Sequence, residues 1–168
     1  GSISKKKLES CINSDLANNY GNLCQRVISF TEKNLNLIIP SEIRFLEQDL
    51  QILNIFNDKY NDLLEFIDNQ NINSYINFII ERLFAANKYF NDQEPWKKKD
   101  DVLRLSSIVY TAIELIRKIT ILLYPIIPQT AIKVLDAFNI KENEINFSSL
   151  EKNEILKEGN KINKLDIL

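Results

Sequence analysis

Histidine is absent from the 168-residue chain. That excludes zinc sites built on histidine and every Ser–His–Asp or Cys–His relay. Only three glycines occur, Gly1, Gly21 and Gly159, so no glycine-rich loop is available to cradle a phosphate. The two cysteines, Cys11 and Cys24, lie thirteen positions apart in helix-like sequence. They read as buried free thiols of a reducing compartment rather than as a disulfide framework. The most apolar stretch, residues 119–132, is short of the roughly 20 residues a spanning helix needs and contains Pro125 and Pro128. No secretory signal is apparent, which predicts a cytoplasmic protein without a membrane partner. Charge of one sign is also missing: 21 basic side chains stand against 23 acidic ones. A polyanion would therefore have to be met by a local patch. Methionine is lacking even at the first position. Gly1-Ser2 is accordingly expected to be a remnant of expression, and the chain a piece of something longer.

What the chain has in quantity is apolar side chains at helical spacing. A first stripe runs through Leu8, Ile12, Leu16, Tyr20, Leu23, Val27, Phe30 and Leu35. A second takes Leu46, Leu50, Leu53, Phe56, Tyr60, Leu63 and Ile67, and a third Ile76, Ile79, Leu83 and Phe90, interrupted by Asn87. The fourth is the most regular, alternating steps of three and four through Val102, Leu105, Val109, Ala112, Ile116, Ile119 and Leu123. Period-two alternation is nowhere sustained. The pattern predicts an all-α fold, an antiparallel bundle of about five amphipathic helices. Ser41 is placed to cap the second helix and Asp100 or Asp101 the fourth. Residues 71–74 separate the second helix from the third, Pro95 ends the third, and Pro125 and Pro128 end the fourth. A fifth helix fits residues 129–138, and a short one is expected around residues 150–156. Tyr110, Tyr124 and Phe138 read as core aromatics. Gly21, in mid-helix, costs roughly 1 kcal/mol against alanine, which predicts close approach of another backbone or a kink.

Two places carry candidate chemistry. With Leu16, Tyr20, Leu23 and Val27 turned inward, Asp15, Asn19, Asn22, Arg26, Ser29 and Lys33 lie opposite. Asn22 and Arg26, four apart, are neighbours there. An amide beside a guanidinium can read the edge of a base, although such a face can equally be ordinary solvated surface. The second place is Asp92-Gln93-Glu94-Pro95-Trp96-Lys97-Lys98-Lys99. Here the single tryptophan sits at a proline-set corner ahead of three lysines. A flat ring beside ammonium groups suits single-stranded RNA, with bases on the ring and Lys97 at a phosphate. The alternative is a tryptophan folded back as a lid on the bundle. Carboxylates such as Asp100, Asp101, Glu142 and Glu144 fall at caps and turns, with nothing to mark an acid–base pair.

Three blocks add a resemblance: Asp15-Leu-Ala-Asn-Asn-Tyr-Gly-Asn-Leu-Cys-Gln-Arg26, Ala86-Asn-Lys-Tyr-Phe-Asn-Asp-Gln-Glu-Pro-Trp96, and Leu122-Leu-Tyr-Pro-Ile-Ile-Pro-Gln-Thr-Ala131. In order and spacing, over most of residues 8–140, they resemble the C-terminal anticodon-binding domain of methionyl-tRNA synthetases, class I enzymes. The resemblance implies a helical bundle that recognises the CAU anticodon loop of tRNA(Met). It implies that Trp96, with Pro95, stacks on the first anticodon base while Asn22 and Arg26 contact anticodon bases. Lys98 departs from the family, which often has an apolar residue there. The HIGH and KMSKS signatures of the family's catalytic domain are absent from this sequence. The chain alone is therefore expected to be inactive and to hold no cofactor, with ATP and Mg used by a parent enzyme. Implied partners are the tRNA(Met) anticodon loop and the catalytic domain of the same polypeptide, and the fragment is expected to be a monomer. Residues 3–140 would form the bundle. Residues 141–168 would form its tail, stopping before the return toward the catalytic domain that Leu156-Lys-Glu-Gly-Asn-Lys-Ile resembles. Other readings stay open: a helical protein-interaction module indifferent to RNA, the anticodon domain of a related class I synthetase, or a small carboxylate enzyme.

Overall fold

The computed structural model describes residues 15–57, 63, 65, 66 and 68–165. Gly1-Ser2, Leu8, Cys11, Ile12, Tyr60 and Ile67 lie outside the described residues. Among those described, five α-helices have defined bounds: α1 Ala17–Leu35, α2 Glu47–Asn54, α3 Ile72–Gln93, α4 Val102–Leu123 and α5 Pro128–Ala137. Three 3₁₀ turns accompany them: Pro95–Lys97 between α3 and α4, and Glu142–Glu144 and Phe147–Glu151 after α5. The described residues contain no strand, only one isolated antiparallel bridge between Ile38 and Lys161. This is the all-α bundle expected from the stripes.

Local chemistry sets most helix ends. Asn71 caps α3 by accepting from the Ser74 amide at 3.3 Å, and Asp101 caps α4 by accepting from the Arg104 amide at 3.1 Å. Pro128 opens α5 at a position where its missing N–H is not needed. Ser41 does not cap α2, which starts six residues later. The Asp49 carboxylate instead accepts from the Leu46 amide at 2.8 Å, closing the first turn from inside the helix. The short helix expected at residues 150–156 is likewise displaced. The 3₁₀ turn Phe147–Glu151 forms there because the Asn146 side chain accepts from the Ser149 amide at 3.0 Å.

Contacts fix the directions. Tyr20 on α1 hydrogen-bonds with Thr120, and Tyr75 on α3 donates to the Leu122 carbonyl. At the other end Phe30 and Phe90 meet edge to face, 6.0 Å between centroids. Helices α1 and α3 therefore run the same way and α4 runs against both. The central element is α4. The sequence predicts one apolar stripe on it, but every side chain from Leu105 to Leu123 is buried, with Glu114, Arg117 and Lys118 among them. These charges are tolerated because the C-terminal segment is folded onto them. Arg117 pairs with Glu114 and donates to the carbonyls of Ser149 (3.2 Å) and Lys152 (2.8 Å), while Glu114 accepts from the Ile155 amide at 2.6 Å. Buried charges persist only when paired and hydrogen-bonded in this way. Farther along, Ile39 donates to Asn160 at 2.8 Å and Ile162 to Leu37 at 2.6 Å, tying residues 159–162 to the turn after α1.

Two smaller expectations are corrected. Tyr110 and Phe138 are buried, but Tyr124 is 37% exposed, since α4 has already ended beneath it. Nothing packed against α1 lies within 4 Å of a Cβ placed on Gly21, so close approach of another backbone does not account for that glycine, and α1 continues through it.

Candidate nucleic-acid interface

The corner between α3 and α4 begins where Glu94 adopts a left-handed conformation, φ 47°, and stops α3. Pro95, buried, starts the 3₁₀ turn that carries Trp96 outward. The indole is 42% exposed, and it packs at 66° against Phe90 with centroids 6.2 Å apart. It is thus anchored on one aromatic neighbour and open to solvent elsewhere. Lys97 is exposed and paired with Glu94 at 2.7 Å, a surface contact worth at most about 1 kcal/mol and easily exchanged. Lys98 folds back instead, and its amine donates to the Gln93 carbonyl, so the position stays half-buried without an apolar side chain.

Phe90 also meets α1. The Arg26 guanidinium lies 5.5 Å from the centre of the same ring and donates to the side-chain carbonyl of Asn91. One buried phenylalanine thus links Arg26 to Trp96, residues seventy positions apart in sequence. Asn22 is exposed one turn away from Arg26. Asn22 and Arg26 line a cleft of about 370 Å³ between α1 and α3, with Asn19 and Gln25 on one wall and Phe84, Asn87 and Asn91 on the other. Pro95, Trp96 and Lys97 are not in its lining; they stand beyond Phe90. The whole α3 wall escaped the sequence reading. Its only available signals were Asn87 breaking the third stripe and Phe84 falling off it. A larger depression of about 510 Å³ between the end of α1 and the start of α4 has neither an aromatic nor a cationic side chain in its lining.

An ionic clamp supports the corner from behind. Asp49, fully buried, receives Arg104 through two bonds, 2.7 and 2.9 Å, and the hydroxyl of Tyr89. Arg104 also donates to the Gln93 side-chain carbonyl at 2.9 Å, three residues before Trp96. Burial works to raise the Asp49 pKa, but the bonds from Arg104, Tyr89 and the Leu46 amide outweigh it and hold the carboxyl below its ordinary value. Burial, reinforced by Asp49, pushes the Tyr89 hydroxyl far up, so it remains a donor. Among the described residues no group of three or more His, Cys, Asp or Glu side chains could hold a metal, and no helix is long and apolar enough to cross a membrane.

The architecture is similar to that of a helical region found in solved aminoacyl-tRNA synthetases. The apo crystal structure of Mycobacterium tuberculosis methionyl-tRNA synthetase is similar over 99% of this chain and 34% of that one, with TM-score 0.83 and 29% identity. The same enzyme bound by methionyl-adenylate is similar over 96% and 33%, with TM-score 0.81 and 30% identity. A model of the anticodon binding domain of methionyl tRNA ligase matches residues 39–168, and the chain belongs to that family. Methionine–tRNA ligase of Mycobacterium leprae is 31% identical over 155 residues, 89% of this chain and 29% of its own length. That of Brucella melitensis is 35% identical over 137 residues, 81% and 27%. The chain spans less than a third of these curated relatives. The matched region contains the Trp96 corner but not Asn22 or Arg26, which the structural likeness over 99% of the chain does cover.

Proposed function

We propose that this chain is the anticodon-reading module of a methionine–tRNA ligase and that it recognises the CAU anticodon of tRNA(Met). The carrying observation is the convergence of Arg26 and half-open Trp96 on Phe90, beside a cleft rich in amides. Anticodon bases leave their stack at a cost of a few kcal/mol each, by analogy with base flipping. Stacking of the first base on Trp96 returns about 1–3 kcal/mol. Asn22 and Arg26 read base edges, with discrimination of about 1–3 kcal/mol per well-formed contact, taking DNA as the guide. Pro95 sets the ring's position, and Lys97 exchanges Glu94 for a phosphate. Residues 3–140 form the reading bundle, and residues 141–168 a tail that belongs to it and leads toward a catalytic domain of the same polypeptide. That parent, in the cytoplasm, activates methionine with ATP and Mg through residues outside this chain. The fragment is monomeric and catalytically silent on its own.

The test is binding of anticodon stem-loops to the 168-residue chain at several salt concentrations. A CAU loop should bind more tightly than loops with another first base and should quench the single tryptophan. Trp96→Ala should weaken the CAU loop about 5- to 150-fold at low and high salt alike, with the fold intact. Truncating Lys97 should instead flatten the salt dependence. Equal affinity for all anticodons, or emission that ignores RNA, would defeat the reading.

A further inference from the structure

Of the nine phenylalanines, eight are buried or half-buried, and Phe84 alone is exposed, at 62%. A lone exposed apolar side chain is unremarkable by itself. The surroundings of Phe84 are different. It stands in the wall of the α1–α3 cleft, whose remaining lining consists of five primary amides and Arg26. Amides offer a donor and an acceptor side by side, the complement of a base edge, whereas a protein partner would seek apolar neighbours around its anchor. Among the described residues the lining contains no carboxylate that would repel a polyanion. Glu81, one turn before Phe84, is held by Arg82 at 3.0 Å, and Lys88, one turn after, is paired with Asp92.

The geometry points to Phe84 as a second stacking surface, which takes an unpaired nucleobase of the same RNA loop that Trp96 engages. The inference rests on the anticodon reading above and deepens it. Because α1 and α3 run the same way and Arg26 is bonded to Asn91, stepping back seven residues on each helix brings Asn19 opposite Phe84. Those seven residues amount to about 10 Å of helix. The cleft therefore has Arg26 and Asn91 at the end nearest Trp96 and the Phe84 ring at the other, with Asn22 and Asn87 between. A splayed single strand lying along it would set one base against Trp96, present base edges to the amides, and rest a later base on Phe84. Stacking is tolerant of base identity, so Phe84 supplies affinity and register while the amides supply choice.

The experiment uses the same chain and the CAU stem-loop, with Phe84→Ala, Phe84→Leu, Phe84→Tyr and Trp96→Ala compared at two salt concentrations. Phe84→Ala should melt like the parent, because the ring is exposed, and should bind about 5- to 150-fold more weakly at both salts. Phe84→Tyr should bind like the parent and Phe84→Leu like the alanine variant, since a π-face is required. Loops made abasic at single positions should identify one nucleotide whose removal erases the Phe84→Ala defect, distinct from the one that erases the Trp96→Ala defect. Binding by Phe84→Ala or Phe84→Leu equal to the parent, with Trp96→Ala weakened, overturns the second surface and leaves the anticodon reading standing. A stem-loop that neither variant releases, or that the parent does not bind, overturns both.

Discussion

Arg117 and Arg26 occupy opposite settings in this bundle. Arg117 is fully buried, paired with Glu114, and its donors reach the Ser149 hydroxyl and carbonyl and the Lys152 carbonyl. Arg26 is half-buried, and among the described residues its hydrogen bonding is to Asn91, with the Phe90 ring beneath. A guanidinium has five donors. In the first setting the protein itself uses them, and the result is a closed seam between α4 and the C-terminal segment. In the second, donors remain for something that arrives from solution. The α4 seam is thus a folding device, whereas the α1–α3 cleft is, on the proposed reading, the recognition surface.

The largest expected effect breaks the closed side. Arg117→Met should destabilise the chain by about 3–5 kcal/mol in urea titration, because the Glu114 carboxylate would stay buried without its partner. Adding Glu114→Gln should recover part of that loss. A cost below about 1 kcal/mol for the single variant would mean that the seam is not closed as described.

Next in size is a pH effect on the same seam. Lys118, fully buried, donates to the Leu53 carbonyl at 3.2 Å and also bonds Asn153. Burial chiefly, and nearby Arg117 secondarily, push its pKa down to about 7, against a smaller upward pull from Glu114. The unfolded chain keeps this amine protonated to about pH 10.4. Between pH 7 and 9 the unfolded state therefore binds more protons than the folded one, and stability rises with pH, by about 2 kcal/mol for this group. Denaturation at pH 7, 8 and 9 should find that rise in the parent and its absence in Lys118→Met. On the acid side Asp49 acts in the opposite sense. Its carboxyl sits below the ordinary value, so its contribution is present above the unfolded pKa near 3.9 and is lost as pH falls through the folded one.

The two sides also differed in how far they could be read from sequence. Most helices of the bundle follow from spacing, although the second stripe overreaches, since α2 ends at Asn54 and a turn occupies residues 55–57. The caps at Asn71 and Asp101 and the breaks at Pro95 and Pro128 follow from local chemistry. The seam does not. Glu114, Arg117 and Lys118 lie off the apolar stripe of α4, and partners distant in sequence, the tail and the Leu53 carbonyl, cover that face. Ser41 was a plausible cap that lost to Asp49, whose carboxylate is already fixed by Arg104 from another helix. On the cleft side, Asn22, Arg26 and Trp96 stood out because side-chain chemistry is local. Their meeting at Phe90, and the whole α3 wall, depends on the packing of α1 against α3, and no single helix pattern encodes that.

A smaller effect, of the other sign, sharpens the claim that the cleft side is loosely constrained. Gly21 lies inside α1 with open space around its missing Cβ. Gly21→Ala should therefore stabilise the chain by about 1 kcal/mol, through helix propensity and a less flexible unfolded state. In a domain of this size that corresponds to roughly 2–4 °C in melting temperature. A lower melting point would mean that the glycine answers to a constraint absent from the free domain.

The smallest effect on stability falls to Arg26→Ala, and it returns the comparison to its two arginines. What is lost is one bond to Asn91, a group that water can satisfy, and a partly exposed contact with Phe90. Such contacts contribute about 0.5–1 kcal/mol, so the variant should melt close to the parent. Preference for the CAU loop over altered anticodons should nevertheless fall. Arg26→Lys separates charge from shape. The ammonium keeps attraction to the RNA and its salt dependence, but it lacks the planar fork that reads two acceptors together. Affinity should recover in that variant without discrimination. If Arg26→Ala instead unfolds as readily as Arg117→Met, or if lysine restores discrimination in full, the guanidinium at the cleft is a structural group like its buried counterpart and the division drawn between the two sides fails.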